Sequence, residues 1–201
     1  MKKLFFLIIA FYTITCGYSQ TSEEFYKRGM VKYGLQDYKG AIADFNKSIE
    51  IEPNNKSVYG YRGTAKGYLG DDKGAIADYS LEIEINPNNA NAYGNRGMAK
   101  YGLQDYKGAI ADFNKSIEIE PNNPGSYCRR GRLKYSLEDY RGAIADYSKA
   151  IEFYPKYEKA YYGRGAAKIK LKQKESACLD FSKAGELGYE EAYKAIKNLC
   201  N

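Results

Sequence analysis

The chain has 201 residues, and its 31 Lys and Arg outnumber its 25 Asp and Glu, which gives a formal net charge of +6. Histidine is absent, so a Ser-His-Asp triad, an imidazole general base and a His-ligated zinc site are excluded. With 44% hydrophobic residues the chain can bury a core. Its net charge is mild, and the sequence lacks the block of basic residues that is typical of nucleic-acid-binding proteins.

The first twenty residues have the pattern of a secretory signal peptide. Two lysines precede an apolar run at residues 4–14, which is too short to span a bilayer because a spanning helix takes about 20 residues. Small residues follow at Gly17 and Ser19. We therefore expect residues 1–19 to be removed and the protein to be exported, to the periplasm or the medium. A second interpretation makes Cys16 the lipid-modified start of an anchored lipoprotein.

The rest of the chain repeats one motif with a period of 34 residues. The segment GAIADF or GAIADY recurs four times on this period, and the degenerate copy SACLDF follows 34 residues after the last of them. The period divides residues 20–190 into five units, at 22–55, 56–89, 90–123, 124–157 and 158–190. Positions are counted below from the first residue of each unit.

Each unit is predicted to form helix, tight turn, helix and turn. In unit three, Asp105 is suited to cap the second helix, Pro121 cannot continue it, and Asn123 is suited to cap the next one. At the start of the array, Thr21 and Glu24 have the spacing of a capping box.

The C-terminal end departs from the repeat. Unit five has lost the acidic cap and the closing proline and has gained Gly185 and Gly188, so its second helix should end early and fray. Residues 191–199 are predicted to form a final helix, and residues 191–201 to act as the cap that a stacked array needs.

The most regular polar set is Arg, Lys and Asp at positions 7, 11 and 23 of every unit. A catalytic site would require one set to differ from the others, and none does. The interpretation is structural: Asp bridges to Arg between the two helices of a unit, with Lys one turn from Arg on the same face. The predicted pairs are Arg62–Asp78, Arg96–Asp112 and Arg130–Asp146.

Unit two is irregular. Asp72 replaces a tyrosine at the turn, and Glu82 occupies a position that is small in the other units.

Three cysteines remain after the predicted signal. They form no CxxC motif, so neither a metal cluster nor a thioredoxin-like site is expected, and no cofactor is predicted. In an exported protein Cys178 and Cys200 are predicted to form a disulfide, the alternative being two buried thiols. Cys128 is then left over, and with no histidine in the chain it is a poor candidate nucleophile.

The 34-residue, two-helix unit resembles the tetratricopeptide repeat (TPR) family over residues 22–190. The family's position-8 glycine is matched by Gly29, Gly63, Gly97, Gly131 and Gly165. Its position-20 alanine is matched by Ala41, Ala75, Ala109, Ala143 and Ala177. Its position-24 aromatic is matched by Phe45, Tyr79, Phe113, Tyr147 and Phe181. The chain departs from the family at positions 7 and 11, where the family usually has Leu and Tyr.

The resemblance implies an all-α, right-handed solenoid and a non-enzymatic scaffold that binds a protein or peptide in its concave groove. In the family, positions 5, 9, 12 and 13 face that groove. The predicted groove residues are Tyr26, Met30, Tyr33, Tyr68, Met98, Tyr101, Arg132, Tyr135 and Tyr162. Between the tyrosines, gaps are expected at Gly60, Gly67, Gly94 and Gly102. The Lys and Asn clamp that binds acidic chaperone tails at positions 5 and 9 is absent.

Two other functions remain as alternatives. Some two-helix repeat arrays bind single-stranded RNA, and tyrosines can stack on bases, but the export signal and the mild charge argue against that function here. A hydrolase is disfavoured because histidine is absent and because the polar set repeats identically. The partner is not identified by the sequence, and self-association stays open.

Overall fold

A computed structural model describes residues 20–200, in which eleven helices and no strand are found. The predicted signal peptide and Cys16 lie outside the described residues. The helices of units one to three are α1 (Ser22–Gly34), α2 (Tyr38–Ile51), α3 (Lys56–Tyr68), α4 (Asp72–Ile85), α5 (Ala90–Gly102) and α6 (Tyr106–Ile119). Those that follow are α7 (Pro124–Ser136), α8 (Tyr140–Phe153), α9 (Glu158–Lys170), α10 (Lys174–Glu186) and α11 (Glu191–Leu199).

The helices stack in chain order, which confirms the predicted all-α solenoid. Each helix packs against the next, and within the described residues the first helices of neighbouring units, such as α3 and α5, also pack against each other. The second helices of neighbouring units are held further apart. The first helices therefore line the inner, concave side. No helix within residues 20–200 has both the length and the apolarity needed to span a bilayer.

The predicted caps define the helix starts. The Asp105 side chain accepts a hydrogen bond from the Gly108 amide at 2.9 Å, and the aspartates at the same position of units one, two and four do likewise. Thr21 and Glu24 form the expected capping box. In unit five no side chain caps α10, which has 13 residues where the second helices of the other units have 14. The end of α10 therefore comes one residue earlier in its unit than in the other second helices, in the direction predicted, and the fraying of that end stays a prediction.

The core of each unit consists of small residues beneath one aromatic ring. Ala109 and Phe113 are fully buried, and the ring lies so close to Gly97 that a Cβ there would be 2.8 Å from the ring Cε1 atom. A larger residue at this position would force the two helices of the unit apart.

The polar set is the structural ladder that the sequence predicts. The Asp112 carboxylate, only 5% exposed, accepts hydrogen bonds from Arg96 Nε at 3.0 Å and Nη2 at 2.8 Å, and Lys100 Nζ lies 2.8 Å from its Oδ2. All three predicted Arg–Asp pairs are present, and units one and five repeat them. Because the same arrangement recurs in all five units, it holds the fold together and marks no unit as a site.

Two further contacts of the ladder arginine are not apparent from the sequence. Its guanidinium lies over the aromatic ring at position 4 of its own unit, 5.4 Å from the ring centre for Arg96 and Tyr93. Its Nη1 also donates to position 25 of the preceding unit: Arg96 reaches Ser80 at 3.1 Å, and Arg130 reaches Asn114 at 2.7 Å. Each ladder arginine from Arg62 onward therefore joins two units.

Candidate functional site

The predicted groove residues lie on the first helices, on the inner side of the solenoid. Tyr68 and Arg132 are exposed, and the other seven are half-buried. The structure places them in three groups, and Tyr68 of the first and Met98 of the second line one pocket.

The first group is an aromatic cluster at the N-terminal end. The Tyr33 ring lies 5.8 Å from Tyr61 and 6.3 Å from Tyr68, and Tyr38 stacks on Tyr68 with ring centres 4.6 Å apart. Tyr26 joins through Tyr61 at 6.1 Å, and Met30 packs against the same buried cluster as Tyr26 and Tyr33. Burial, together with the neighbouring hydroxyls, raises the pKa of Tyr33 to about 12. Tyr38 and Tyr61 are not among the predicted groove residues. The sequence feature that could have identified them is the presence of other tyrosines at nearby positions of the repeat.

The second group lies between α5 and α7. The Tyr101 hydroxyl is 2.7 Å from Ser136 Oγ, and the Arg132 guanidinium lies over the Tyr101 ring at 5.4 Å. Arg132 also contacts the Met98 sulfur at 3.2 Å. Tyr135 packs edge-on against the Tyr140 ring at 5.4 Å.

The third group is at the C-terminal end. Tyr162 packs against Phe181 at 5.4 Å and against Tyr189 at 4.8 Å, apart from the other predicted groove residues. Tyr189 stands where the other units have their closing proline.

A cleft opens on the inner side between α3 and α5. Units one, three and four fill the corresponding space with tyrosine at positions 12 and 17, whereas unit two has Gly67 and Asp72 there. One pocket, of about 350 Å³, is lined by Gly67, Tyr68, Asp72 and Met98 among others. A second, of about 330 Å³, lies nearer the start of α3 and is lined by Gly60, Tyr61, Glu82, Asn89 and Asn91 among others. The two pockets share Thr64 and Asn95.

The expectation that four glycines leave gaps is right for one of them. Nothing lies within 4 Å of a Cβ built on Gly67. At Gly60, Gly94 and Gly102 it is wrong, because a charged side chain occupies the space in each case. A Cβ there would lie 2.7 Å from Glu82 Oε2, 2.6 Å from Arg129 Nη1 and 2.5 Å from Asp72 Oδ2, respectively. Because these three glycines have no side chain, a charged side chain can lie against the inner surface at each of them.

Among the carboxylates of the inner side, Glu82 has the largest shift in pKa. Its Oε1 accepts a hydrogen bond from Asn89 Nδ2 at 2.8 Å, and no described Lys or Arg side chain forms a salt bridge with it. Burial raises the pKa of Glu82 to about 7, which the Asn89 hydrogen bond only partly opposes. At the same position the other units have buried Ser48, Ser116, Ala150 and Ala184.

The C-terminal cysteines are joined in the structure. Cys178 on α10 and Cys200 at the end of α11 form a disulfide, with Cα atoms 5.8 Å apart. The same end is held by Tyr193, whose hydroxyl donates to the Gly185 carbonyl at 3.0 Å. Gly185 permits that approach, because a Cβ there would lie 3.3 Å from the Tyr193 ring.

Five stacked helix pairs with a side-chain-lined inner face define an α-solenoid repeat protein, the architecture of binding scaffolds. Tetratricopeptide-repeat models match residues 22–55 and 90–123, and a TPR-repeat model matches residues 131–172. Together these matches span more than half of the chain, and the chain belongs to the tetratricopeptide repeat family.

Several solved structures have a similar fold. A crystal structure of MamA is 25% identical and has a TM-score of 0.71, covering 82% of this chain and 96% of its own. YrrB, described as a TPR protein with an unusual peptide-binding site, is 16% identical with a TM-score of 0.66, over 88% of this chain and 92% of its own. The first TPR of Spaghetti (RPAP3), bound to the HSP90 peptide SRMEEVD, is 26% identical with a TM-score of 0.57, over 59% of this chain and 94% of its own. No curated protein matched the chain.

Proposed function

We propose that this protein is a non-enzymatic scaffold that binds a protein or peptide partner on its inner face, outside the cytoplasm. The observation that carries the proposal is the cleft between α3 and α5, which leaves the inner face open where tyrosines close it in units one, three and four. Half-exposed tyrosines lie on both sides of the cleft. Tyrosine offers a large, rigid contact surface and is enriched at binding hot spots.

The charge of the cleft argues against an acidic ligand. The peptide bound to the Spaghetti TPR, SRMEEVD, has an acidic end. In this chain positions 5 and 9 of unit two are Gly60 and Thr64, with the Glu82 carboxylate beside them. Like charges repel in a partly desolvated pocket, so a chaperone tail or a phosphate backbone would be disfavoured.

The groove is tested by replacing Tyr61 and Tyr68, one tyrosine from the lining of each pocket, together with alanine. Partner capture from the native envelope fraction should be lost, while the helical circular-dichroism signal is retained. Tyr154→Ala is the matched control, because Tyr154 is 49% exposed and follows a second helix, α8, on the other side of the unit. Capture that survives the double replacement would place the binding surface elsewhere, on the convex side or the terminal helix.

The location is tested through the Cys178–Cys200 pair. A disulfide persists in oxidising compartments outside the cytoplasm. The two cysteines are 22 residues apart, and closing such a loop stabilises the folded state by roughly 3 kcal/mol in the chain-entropy model. Non-reducing peptide mapping of protein from its native compartment should recover the linked peptides, with Cys128 as the internal control for a free thiol. Recovery of both thiols unlinked would contradict an oxidising location. The mass of the N-terminal peptide in the same map distinguishes cleavage before Gln20 from lipid attachment at Cys16.

A further inference from the structure

We propose that the cleft between α3 and α5 selects a basic residue of the bound polypeptide, a lysine or arginine whose cationic head pairs with Glu82. This inference rests on the proposed function and adds the chemistry of the ligand to it. It is carried by the geometry of one pocket and by a charge that the described side chains leave without a counter-charge.

The pocket presents its carboxylate to the inner surface. Because a Cβ on Gly60 would lie 2.7 and 2.8 Å from the two Glu82 oxygens, the glycine is required for the carboxylate to lie against α3. The surrounding lining is polar or aromatic, with Tyr61, Thr64, Asn89 and Asn95. Side-chain amide and hydroxyl oxygens can accept further hydrogen bonds from an ammonium or guanidinium group, and a tyrosine ring attracts cations.

Four of the nearby basic side chains are paired with the ladder aspartates. On α3, Arg62 and Lys66 pair with Asp78, and on α5, Arg96 and Lys100 pair with Asp112. Arg129 on α7 lies against Gly94 on α5 and acts electrostatically on Tyr79, but no described salt bridge joins it to Glu82. Glu82 therefore has a single described hydrogen-bond donor, Asn89 Nδ2, which is neutral.

Stability does not account for Glu82. A carboxylate in a partly buried place costs free energy unless it is paired, and four of the five units avoid the cost with serine or alanine at this position. A ligand cation would supply the missing charge and remove that cost in the complex. The position thus has the property expected of a residue that serves binding.

A second carboxylate extends the argument along the cleft. Asp72 lines the neighbouring pocket and lies against Gly102 on α5. The two pockets join at Thr64 and Asn95, so the cleft has one carboxylate in each half. An extended segment with two basic residues would fit this arrangement.

The affinity of the cleft for a basic residue should increase as the pH rises. Burial raises the pKa of Glu82 to about 7, and a bound cation favours the ionised form. The other groups around the cleft are Tyr61 on α3, Tyr79 and Asp72 on α4 and Arg129 on α7, and none of these residue types ordinarily titrates between pH 6 and 8. Because about one-tenth of a group with that pKa is ionised at pH 6 and about nine-tenths at pH 8, affinity should rise roughly tenfold between them.

The probe is Nα-acetyl-lysine amide, and Nα-acetyl-norleucine amide is the uncharged control. Each is titrated into the protein, and binding is followed by the chemical shifts of the backbone amides. The lysine probe should shift the signals of Gly60, Asn89 and Asn95 saturably, about tenfold more tightly at pH 8 than at pH 6. The norleucine probe should not. Glu82→Gln should abolish the shifts, whereas Glu84→Gln, an exposed change on the same helix, should leave them intact.

Two outcomes would overturn the inference: equal shifts from both probes, or unchanged lysine binding in the Glu82→Gln variant. Its failure is distinguishable from failure of the proposed function. If the inference alone is wrong, Glu82→Gln still captures the native partner and the Tyr61/Tyr68 double variant does not. If the proposed function is wrong, both variants capture it.

Discussion

Units two and three share one scaffold and differ in their inner surface. In each, a buried aspartate pairs with an arginine and a lysine of the first helix, Asp78 in unit two and Asp112 in unit three. Unit three nevertheless closes its inner side with the Tyr101 and Tyr106 rings, 5.9 Å apart, where unit two has Gly67 and Asp72. The difference shows that the ladder specifies the fold while the inner positions vary independently of it.

The largest expected effect tests whether the ladder is equivalent in the two units. Replacing Asp112 with alanine leaves the largely buried Arg96 and Lys100 without their counter-charge, so we expect a loss of about 3 kcal/mol and a Tm roughly 6–12 °C lower. Asp78→Ala should lose as much. Thermal unfolding by circular dichroism gives both values.

The control for this pair of variants is Glu118→Ala, which removes an exposed ion pair with Lys115 on α6 and should change stability by less than about 0.5 kcal/mol. If Asp112→Ala melts within about a degree of the wild type, the ladder is a solvated surface feature.

The second effect concerns Glu82, whose carboxylate is expected to lower the stability of unit two. The ordinary pKa of Glu82 is 4.5 and the folded value is about 7, so the folded state binds its proton more tightly and stability falls as pH rises through 7. Glu82→Gln keeps the shape and removes the charge. After allowing for partial solvent exposure, the variant should be about 2 kcal/mol more stable than the wild type at pH 8 and equal to it at pH 4.

Urea unfolding at the two pH values measures that difference, with Glu84→Gln as the exposed match on α4. A stability gain that is the same at both pH values would mean that packing, and not the carboxylate charge, causes it.

The smallest effect concerns the turn between the two helices. Position 15 has a positive φ in every unit, +81° at Gly70 in unit two and +62° at Gln104 in unit three. Only glycine adopts this conformation without a steric cost, so Gly70→Gln should destabilise by about 1 kcal/mol and Gln104→Gly should stabilise by a few tenths. Opposite signs in urea unfolding would support the comparison, and equal signs would contradict it.

The fold was predictable because its signals are local and repeated. The caps at Thr21 and Asp105 and the Arg96–Asp112 pair follow from residue type and spacing. The aspartate cap recurs in four units and the Arg–Asp pair in five, so the copies reinforce one another. The site was predictable only in part. The inner positions follow from the family resemblance, but whether a glycine leaves a gap depends on which side chain of another helix reaches it. Glu82 over Gly60 and Arg129 over Gly94 are contacts between elements that no single-residue pattern encodes.

The arginine contact between units has a consequence for how the chain opens. Because each ladder arginine from Arg62 onward also bonds to the unit before it, unfolding an inner unit breaks polar contacts on two boundaries, whereas unfolding an end breaks them on one. Within the described residues the Nη1 of Arg28 donates to Gln20 and not to another unit, and the Arg28 side chain is 44% exposed against 15–19% for the other four. Amide hydrogen exchange should therefore be fastest in α1 and slow toward the middle of the array, so that the molecule loses its structure progressively from the N-terminal end.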